Sequence, residues 1–310
     1  MRRPASIIST LFLCAGVALP LAAQAEVTAS AIIDVSQLRI LRADGTPYTA
    51  SDFGEITSVL NGAIISYRTG ATVEYDIVSP TSEQVDIPGI CIGSPCPVTS
   101  ENDFSRLSAS PGGNFSNVDQ RQLGSLLTGD LHMQARSDAS AQSTANGTWG
   151  GSASSEVAFR FVLYDEPQTM TFEFDATPYL QVSRPTAATS PLEQASAGIG
   201  FTISIVNLLT EEYVLFLDPA ALFTQLEFGS PSQVGTLAYD PGRMSFSFDS
   251  GILNPGQPHE LRIGLAATTY ISAVPEPSSL AMLGTGLVSL LALGWRRKVL
   301  GTRLISGEAV

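Results

Sequence analysis

The residues VAFRFVLYDE, Val157 to Glu166, alternate apolar and polar with a period of two. Val157, Phe159, Phe161 and Leu163 fall on one face of an extended chain, with Arg160 and Tyr164 on the other. The next stretch, TMTFEFDA, repeats the pattern with Met170, Phe172 and Phe174 against Thr171, Glu173 and Asp175. Successive side chains of a strand point to opposite faces, whereas a helix gathers apolar residues every three to four positions, so both stretches call for half-buried strands. Asp165 to Gln168 between them reads as the turn of a hairpin.

Further strands are expected at Val27 to Val35, Leu38 to Leu41, Ala63 to Tyr67, Thr72 to Ile77, Gly200 to Val206, Tyr213 to Leu217, Met244 to Phe248 and Glu260 to Ala266. Asp44-Gly45, Asn61-Gly62, Ser79-Pro80, Asp240-Pro241-Gly242 and Asn254-Pro255-Gly256 supply the turn chemistry between them. Many short alternating strands with this punctuation favour an all-β, antiparallel sandwich, jelly-roll-like or immunoglobulin-like in layout. Two short helices, around Asn117 to Leu127 and Pro219 to Leu226, are the expected exceptions. Phe159, Phe161, Phe172, Phe174, Phe246 and Phe248 belong to the core by their alternation.

The N-terminus reads as a secretory signal helix. Arg2 and Arg3 precede an apolar run from Ile7 to Leu19, and Ala23-Gln24-Ala25 offers signal peptidase its small-x-small pattern, with cleavage before Glu26. Cys14 lies behind Leu11-Phe12-Leu13, where a lipoprotein signal would need a small residue. Removing residues 1–25 and everything after Pro277 leaves 10 basic against 28 acidic residues, a net charge near −18. A body this acidic excludes nucleic acid and anionic bilayers as partners and leaves divalent cations, calcium among them, or neutral polymers. In an oxidising compartment Cys91 and Cys96 read as a disulfide rather than a metal site, since zinc would want two more ligands.

Catalytic motifs are absent from the sequence. A P-loop needs a lysine and the body has none; the histidines, His132 and His259, are too far apart for a zincin motif, and no Gly-x-Ser-x-Gly elbow occurs. Glu173 and Asp175 lie two apart on one strand, roughly 7 Å by strand rise. That falls within the ~5 to 9.5 Å a glycosidase needs, but the solvent face of any amphipathic strand places polar residues at this spacing. Asp130, His132 and Asp138 form a weak candidate metal group in a polar segment. Trp149 and Tyr164, which fit the core alternation least well, are the candidate sugar-contacting aromatics. The tract Ser137 to Glu156, rich in small polar residues, reads as a mobile or glycan-bearing loop; N-x-Ser/Thr triplets occur at Asn146 within it and at Asn114 before it, and such triplets arise readily by chance in a Ser/Thr-rich chain. The expectation is therefore a non-enzymatic body without cofactor. A polysaccharide hydrolase and a calcium-dependent adhesion or carbohydrate-binding module are the rival readings.

The far end of the chain carries VPEPSSLAMLGTGLVSLLALGWRRK, Val274 to Lys298. Leu280 to Trp295 is about 24 Å long as a helix, a marginal transmembrane span against a ~30 Å hydrocarbon core. Arg296, Arg297 and Lys298 behind it would stop the chain and hold that end in the cytoplasm. The order resembles the PEP-CTERM sorting signal of Gram-negative bacteria: Pro275, Glu276 and Pro277 match its namesake triplet, Leu280 to Trp295 its membrane segment, and Arg296 to Lys298 its basic stop. A twelve-residue tail, Val299 to Val310, departs from the family's usual short ending. The resemblance implies an exosortase that cuts near the triplet, transient inner-membrane anchoring, a cell-surface or extracellular destination, and association with exopolysaccharide and biofilm. The expected organisation is a signal peptide (1–25), a secreted β-rich body (26–271), a sorting signal (272–298) and a tail (299–310).

Overall fold

The computed structural model describes residues 26–70, 72–78, 85–96, 101–107, 112–142, 145–164, 166–186 and 193–273. The expected signal helix, the Pro-Glu-Pro triplet, the expected transmembrane segment, the basic stop and the tail lie outside them. In chain order the strands are β1 (Glu26–Leu41), β2 (Phe53–Gly70), β3 (Thr72–Val78), β4 (Val85–Ser94), β5 (Asn114–Leu123), β6 (Leu131–Gln142) and β7 (Gly147–Leu163). There follow β8 (Thr171–Arg184), β9 (Gln194–Asn207), β10 (Tyr213–Leu217), β11 (Thr224–Glu227), β12 (Gly235–Tyr239), β13 (Met244–Asp249) and β14 (Pro258–Ala273). The described residues contain no α-helix, only a 3-10 turn at Ala50–Asp52.

Two seven-stranded antiparallel sheets result. Sheet A runs β12-β8-β1-β6-β5-β4, with β13 also on β8, and sheet B runs β10-β9-β14-β7-β2-β3, with β11 also on β9. Alternation builds the space between them: Val27, Ala29, Ala31, Ile33 and Val35 of β1 and Phe201, Ile203 and Ile205 of β9 all face one apolar cluster. Phe174 of β8 meets Phe201 of β9 across the layers at 4.8 Å between ring centroids. Phe161 is 1% exposed and touches Phe53, Phe159 and His259. The molecule is a β-sandwich.

Several local expectations are corrected. Val157 to Leu163 and Met170 to Phe174 are strands, but they do not form a hairpin: β7 lies in sheet B and β8 in sheet A, so the connection through Pro167 crosses from one layer to the other. Asn61-Gly62 is not a turn, because β2 continues through it in register with Val157 and Glu156 of β7. Val27 to Leu41 is one strand interrupted by a bulge at Ser36–Gln37, where Gln37 adopts φ 57° and pairing resumes at Leu38. The two expected helices are absent. Asn117 to Leu123 belongs to β5, and Pro219 to Leu226 makes a turn leading into β11. The small-residue tract is not a loop but the end of β6 and the start of β7. Its glycines allow the layers to close: a Cβ on Gly151 would lie 2.4 Å from Val118 Cγ1 and 2.6 Å from the Ser66 carbonyl. Phe246 and Phe248 sit at the core's edge, half-buried against Phe174.

Candidate functional site

The register shows where the two ends of the sandwich emerge. Glu26, the expected first mature residue, pairs with Gln142 at the end of β6, and Gly147 at the start of β7 pairs with Ala273 at the end of β14. Only 143–146 separate Gln142 from Gly147, so Glu26 and Ala273 leave the sandwich at the same pole, one from each sheet. Cys91 and Cys96 are bonded near this pole, with Cα atoms 6.0 Å apart, beside the pairing of Gly93 with Phe115. The body extends to Ala273, two residues past the boundary expected from the alternation.

The outer face of sheet A holds most of the carboxylates singled out in the sequence, and it disperses them. Glu173 accepts from Arg39 Nη2 at 2.8 Å. Asp175 accepts from Ser245 and Arg243, and the hydroxyl of Ser245 followed by the Arg243 guanidinium holds its carboxyl below the usual range. These two line a shallow depression of about 310 Å³ with Gln37, Phe174, Phe246 and Ser247. A glycosidase needs one carboxyl kept protonated by a raised pKa, and an Asp175 held ionised by an arginine does not supply it. Asp130, His132 and Asp138 do not converge. Asp130 caps the turn at Ser125 (2.9 Å), His132 Nε2 meets Asp34 Oδ1 (2.9 Å), and Asp138 is fully buried against Arg136, Ser30 (2.6 Å) and Asn117 (3.0 Å). Among the described residues no group of three or more His, Cys, Asp or Glu side chains is placed to hold a metal ion.

The sequence patterns missed a polar strap. Residues 101–107 cross the outer face of sheet A, and Arg136 of β6 donates to the carbonyls of Asp103 and Ser105 (2.8 Å to the latter) from beneath. Arg106 reaches across to form a two-pronged pair with Asp240, its guanidinium 4.8 Å from the ring centre of Tyr179. Asn102 donates its backbone N–H to Asp119 (2.8 Å) and its side-chain amide to Asp86 (3.1 Å). This cover buries Asn117, Asp119, Arg136 and Asp138 on the strands below. Asp119, 1% exposed, has its carboxyl pushed up to about 6 by burial.

The two candidate aromatics part company. Trp149 is 7% exposed and belongs to the core, since β7 turns it inward opposite Ile271. Tyr164 is 70% exposed at the pole opposite Ala273, its hydroxyl donating to the Gly54 carbonyl (2.7 Å). The aromatic group with no counterpart in the sequence reading is Tyr213, Phe216 and Phe223, which are 63%, 57% and 60% exposed at the β10–β11 edge of sheet B. YVLFL is apolar throughout and so carries no alternation to show which side faces out, and a register shift between Tyr213 and Leu215 puts the exposed Tyr213 and Phe216 three residues apart.

Compared with known families, residues 273–298 match the model described as the PEP-CTERM protein-sorting motif. The chain carries a PEP-CTERM sorting motif. No curated protein and no solved structure matches the chain. The motif begins at the residue where β14 ends. A PEP-CTERM motif implies export, processing by an exosortase and sorting to the cell surface in a Gram-negative bacterium.

Proposed function

We propose that this chain is a non-enzymatic component of the cell surface or exopolysaccharide matrix. Signal peptidase releases it before Glu26, its C-terminal helix at 280–295 anchors it briefly in the inner membrane, and exosortase cleavage near Pro275-Glu276-Pro277 delivers it. The observation that carries the reading is continuity: β14 runs to Ala273 and the sorting motif starts there, so the segment that is sorted is the direct extension of a central strand. Both ends subject to processing lie at one pole, so the opposite pole and the broad sheet faces are left to meet the matrix. The arginine-held Glu173 and Asp175 favour a binding or structural role over the hydrolase reading.

The test is made in the producing cell. Mass spectrometry of the surface and matrix fractions should find peptides from 26–273 and none beyond the neighbourhood of Pro277, and deletion of the exosortase should leave the C-terminal peptides in a membrane-bound form. Intact C-terminal peptides in the surface protein of an exosortase-bearing strain refute the processing. A protein found wholly in the free medium, with none in the matrix, refutes the matrix role.

A further inference from the structure

The outer face of sheet B has the makings of a trough. Reading across the strands at the level of Phe223, the register runs Gly200 (β9), Ala266 (β14), Ser154 (β7) and Ile64 (β2). Phe223 precedes the residue that pairs with Ile199, and its ring lies 3.7 Å from the position a Cβ on Gly200 would occupy. Four strands at ~4.8 Å spacing put the two ends of this row roughly 14 Å apart. At this level the floor is small while the margins are larger and exposed: Phe223 on one side, Ile64, 45% exposed, on the other; Phe216 stands farther along the same edge, opposite Ser204 in the row that holds Arg262. One row along, Gly198, Thr268 and Ser152 continue the floor. Tyr213 packs edge-on against Phe216, centroids 5.5 Å apart.

Charge narrows what can lie there. The body is near −18, yet the charged side chains that rise between the row of Phe223 and the far end of this face, Glu156 next to Ser154 and Arg262 in the row of Phe216, belong to one self-neutralising network. Arg160 donates to Glu260 (2.7 Å), Arg262 pairs with the same Glu260, and Arg262 also meets Glu156 (3.4 Å), giving two of each sign in one network. A polyanion or polycation gains nothing from such a surface. A second copy of the chain would bring its own net negative charge to the contact. Exposed rings that can cover the C–H faces of a pyranose, hydroxyls that both donate and accept, and glycines that admit close approach to the backbone together suit an uncharged polymer of sugars. We infer that the outer face of sheet B, between Phe216 and Phe223 on one margin and Ile64 on the other, binds an uncharged polysaccharide strand. This rests on the matrix reading above and names the contact through which the protein would meet the matrix.

The test uses the exported, processed protein and two fractions of the producing cell's own exopolysaccharide, neutral and acidic, separated by ion exchange and immobilised. Wild-type protein should be retained on the neutral fraction. Phe216→Ala/Phe223→Ala should lose at least tenfold in affinity with an unchanged melting temperature, while Ile252→Ala, an exposed apolar residue off this face, should bind as wild type. Retention on the acidic fraction alone, no retention on the neutral fraction, or equal retention of the double variant overturns the inference. So does a double variant that changes only the oligomeric state, which would make the face a contact between copies. If wild type and double variant partition equally into the matrix of living cells, the trough is wrong and the matrix role stands; if neither enters the matrix, the matrix role itself fails.

Discussion

Replacing Asp119 by asparagine should stabilise the protein at neutral pH, with a gain that shrinks as pH falls through 6 and vanishes below about 3.8. Asp119 lies on β5 under the strap, 1% exposed; its Oδ2 accepts from the Asn102 backbone and its Oδ1 has no hydrogen-bond partner. Burial raises its carboxyl from 3.8 to about 6. A carboxyl raised on folding binds more protons folded than unfolded between those two values, so its contribution falls as pH rises through that window and is most unfavourable above about 6. At ~1.4 kcal/mol per tenfold, the difference amounts to at most about 3 kcal/mol at pH 7.5. For a domain of this size that corresponds to several degrees, at roughly 2–4 °C per kcal/mol. Asparagine keeps an oxygen for Asn102 and removes the charge, so Asp119→Asn should melt higher than wild type at pH 7.5, with the gap narrowing as pH falls through 6 and closing below about 3.8. His259, buried and held below its usual range by burial, acts in the opposite sense. The unfolded chain protonates His259 first as pH falls below 6.5, which costs stability on acidification. That contribution is common to both proteins and cancels in their difference. Thermal unfolding of the pair at half-unit pH steps is the assay. A gap that is constant with pH would show that folding does not shift the carboxyl, and a variant that melts lower at pH 7.5 would show that Asp119 is ionised and paired in the folded protein.

Three other perturbations have clear expectations. Gln120 points inward from β5, fully buried, and neither atom of its amide has a partner; Gln120→Leu should raise stability by about 1–3 kcal/mol in denaturant titrations, and a loss instead would reveal an internal water serving the amide. Phe161→Ala should cost about 3–5 kcal/mol by removing a ring wedged among Phe53, Phe159 and His259, and Phe161→Asp should abolish soluble accumulation; normal yields of the aspartate variant would place residue 161 outside the core. Replacing Cys91 and Cys96 by serine should cost about 2 kcal/mol at most and leave the fold intact, because the closed loop is short; free-thiol labelling of the unreduced wild-type protein should find none, and stoichiometric labelling would disprove the bridge.

The alternation made the apolar strands legible and left the polar ones hidden. β8 and β9 show strict in-out burial over fourteen residues each, and their sequences carry the period plainly. β5, NFSNVDQRQL, and β6, LHMQARSDASAQ, are buried on both faces because the second sheet covers one side and the strap the other. Such a strand has no solvent face, so its polar residues do not alternate with the apolar ones, and its aspartates, arginine and amides read as surface or helix. The crossing from β7 to β8 was hidden for a different reason: two alternating strands joined by a proline-containing turn look the same whether they pair side by side or pass between layers. Trp149 reads as a sugar-contacting loop aromatic because its neighbours are glycine and serine, yet those small residues are what let the sheets approach closely enough to bury it. The sorting motif stood out because its three parts follow one another in sequence, whereas Phe216 and Phe223 come together only through the separate pairing of β10 and β11 with β9.

The placement of Glu26 and Ala273 has a physical consequence for a chain processed beyond its last strand. β1 and β14 are interior strands of their sheets, β1 between β8 and β6, β14 between β9 and β7. A strand hydrogen-bonded on both sides leaves no open edge to fray or to recruit another chain when the residues beyond it are removed. β14 is held most firmly, in register with β7 from Pro258 to Ala273 and with β9 from His259 to Ser272. A pull on Ala273 along its axis would load these ladders together in shear rather than peel them one bond at a time, which an edge strand such as β10 or β3 would permit. Exosortase processing beyond Ala273 can therefore proceed while the sandwich stays folded.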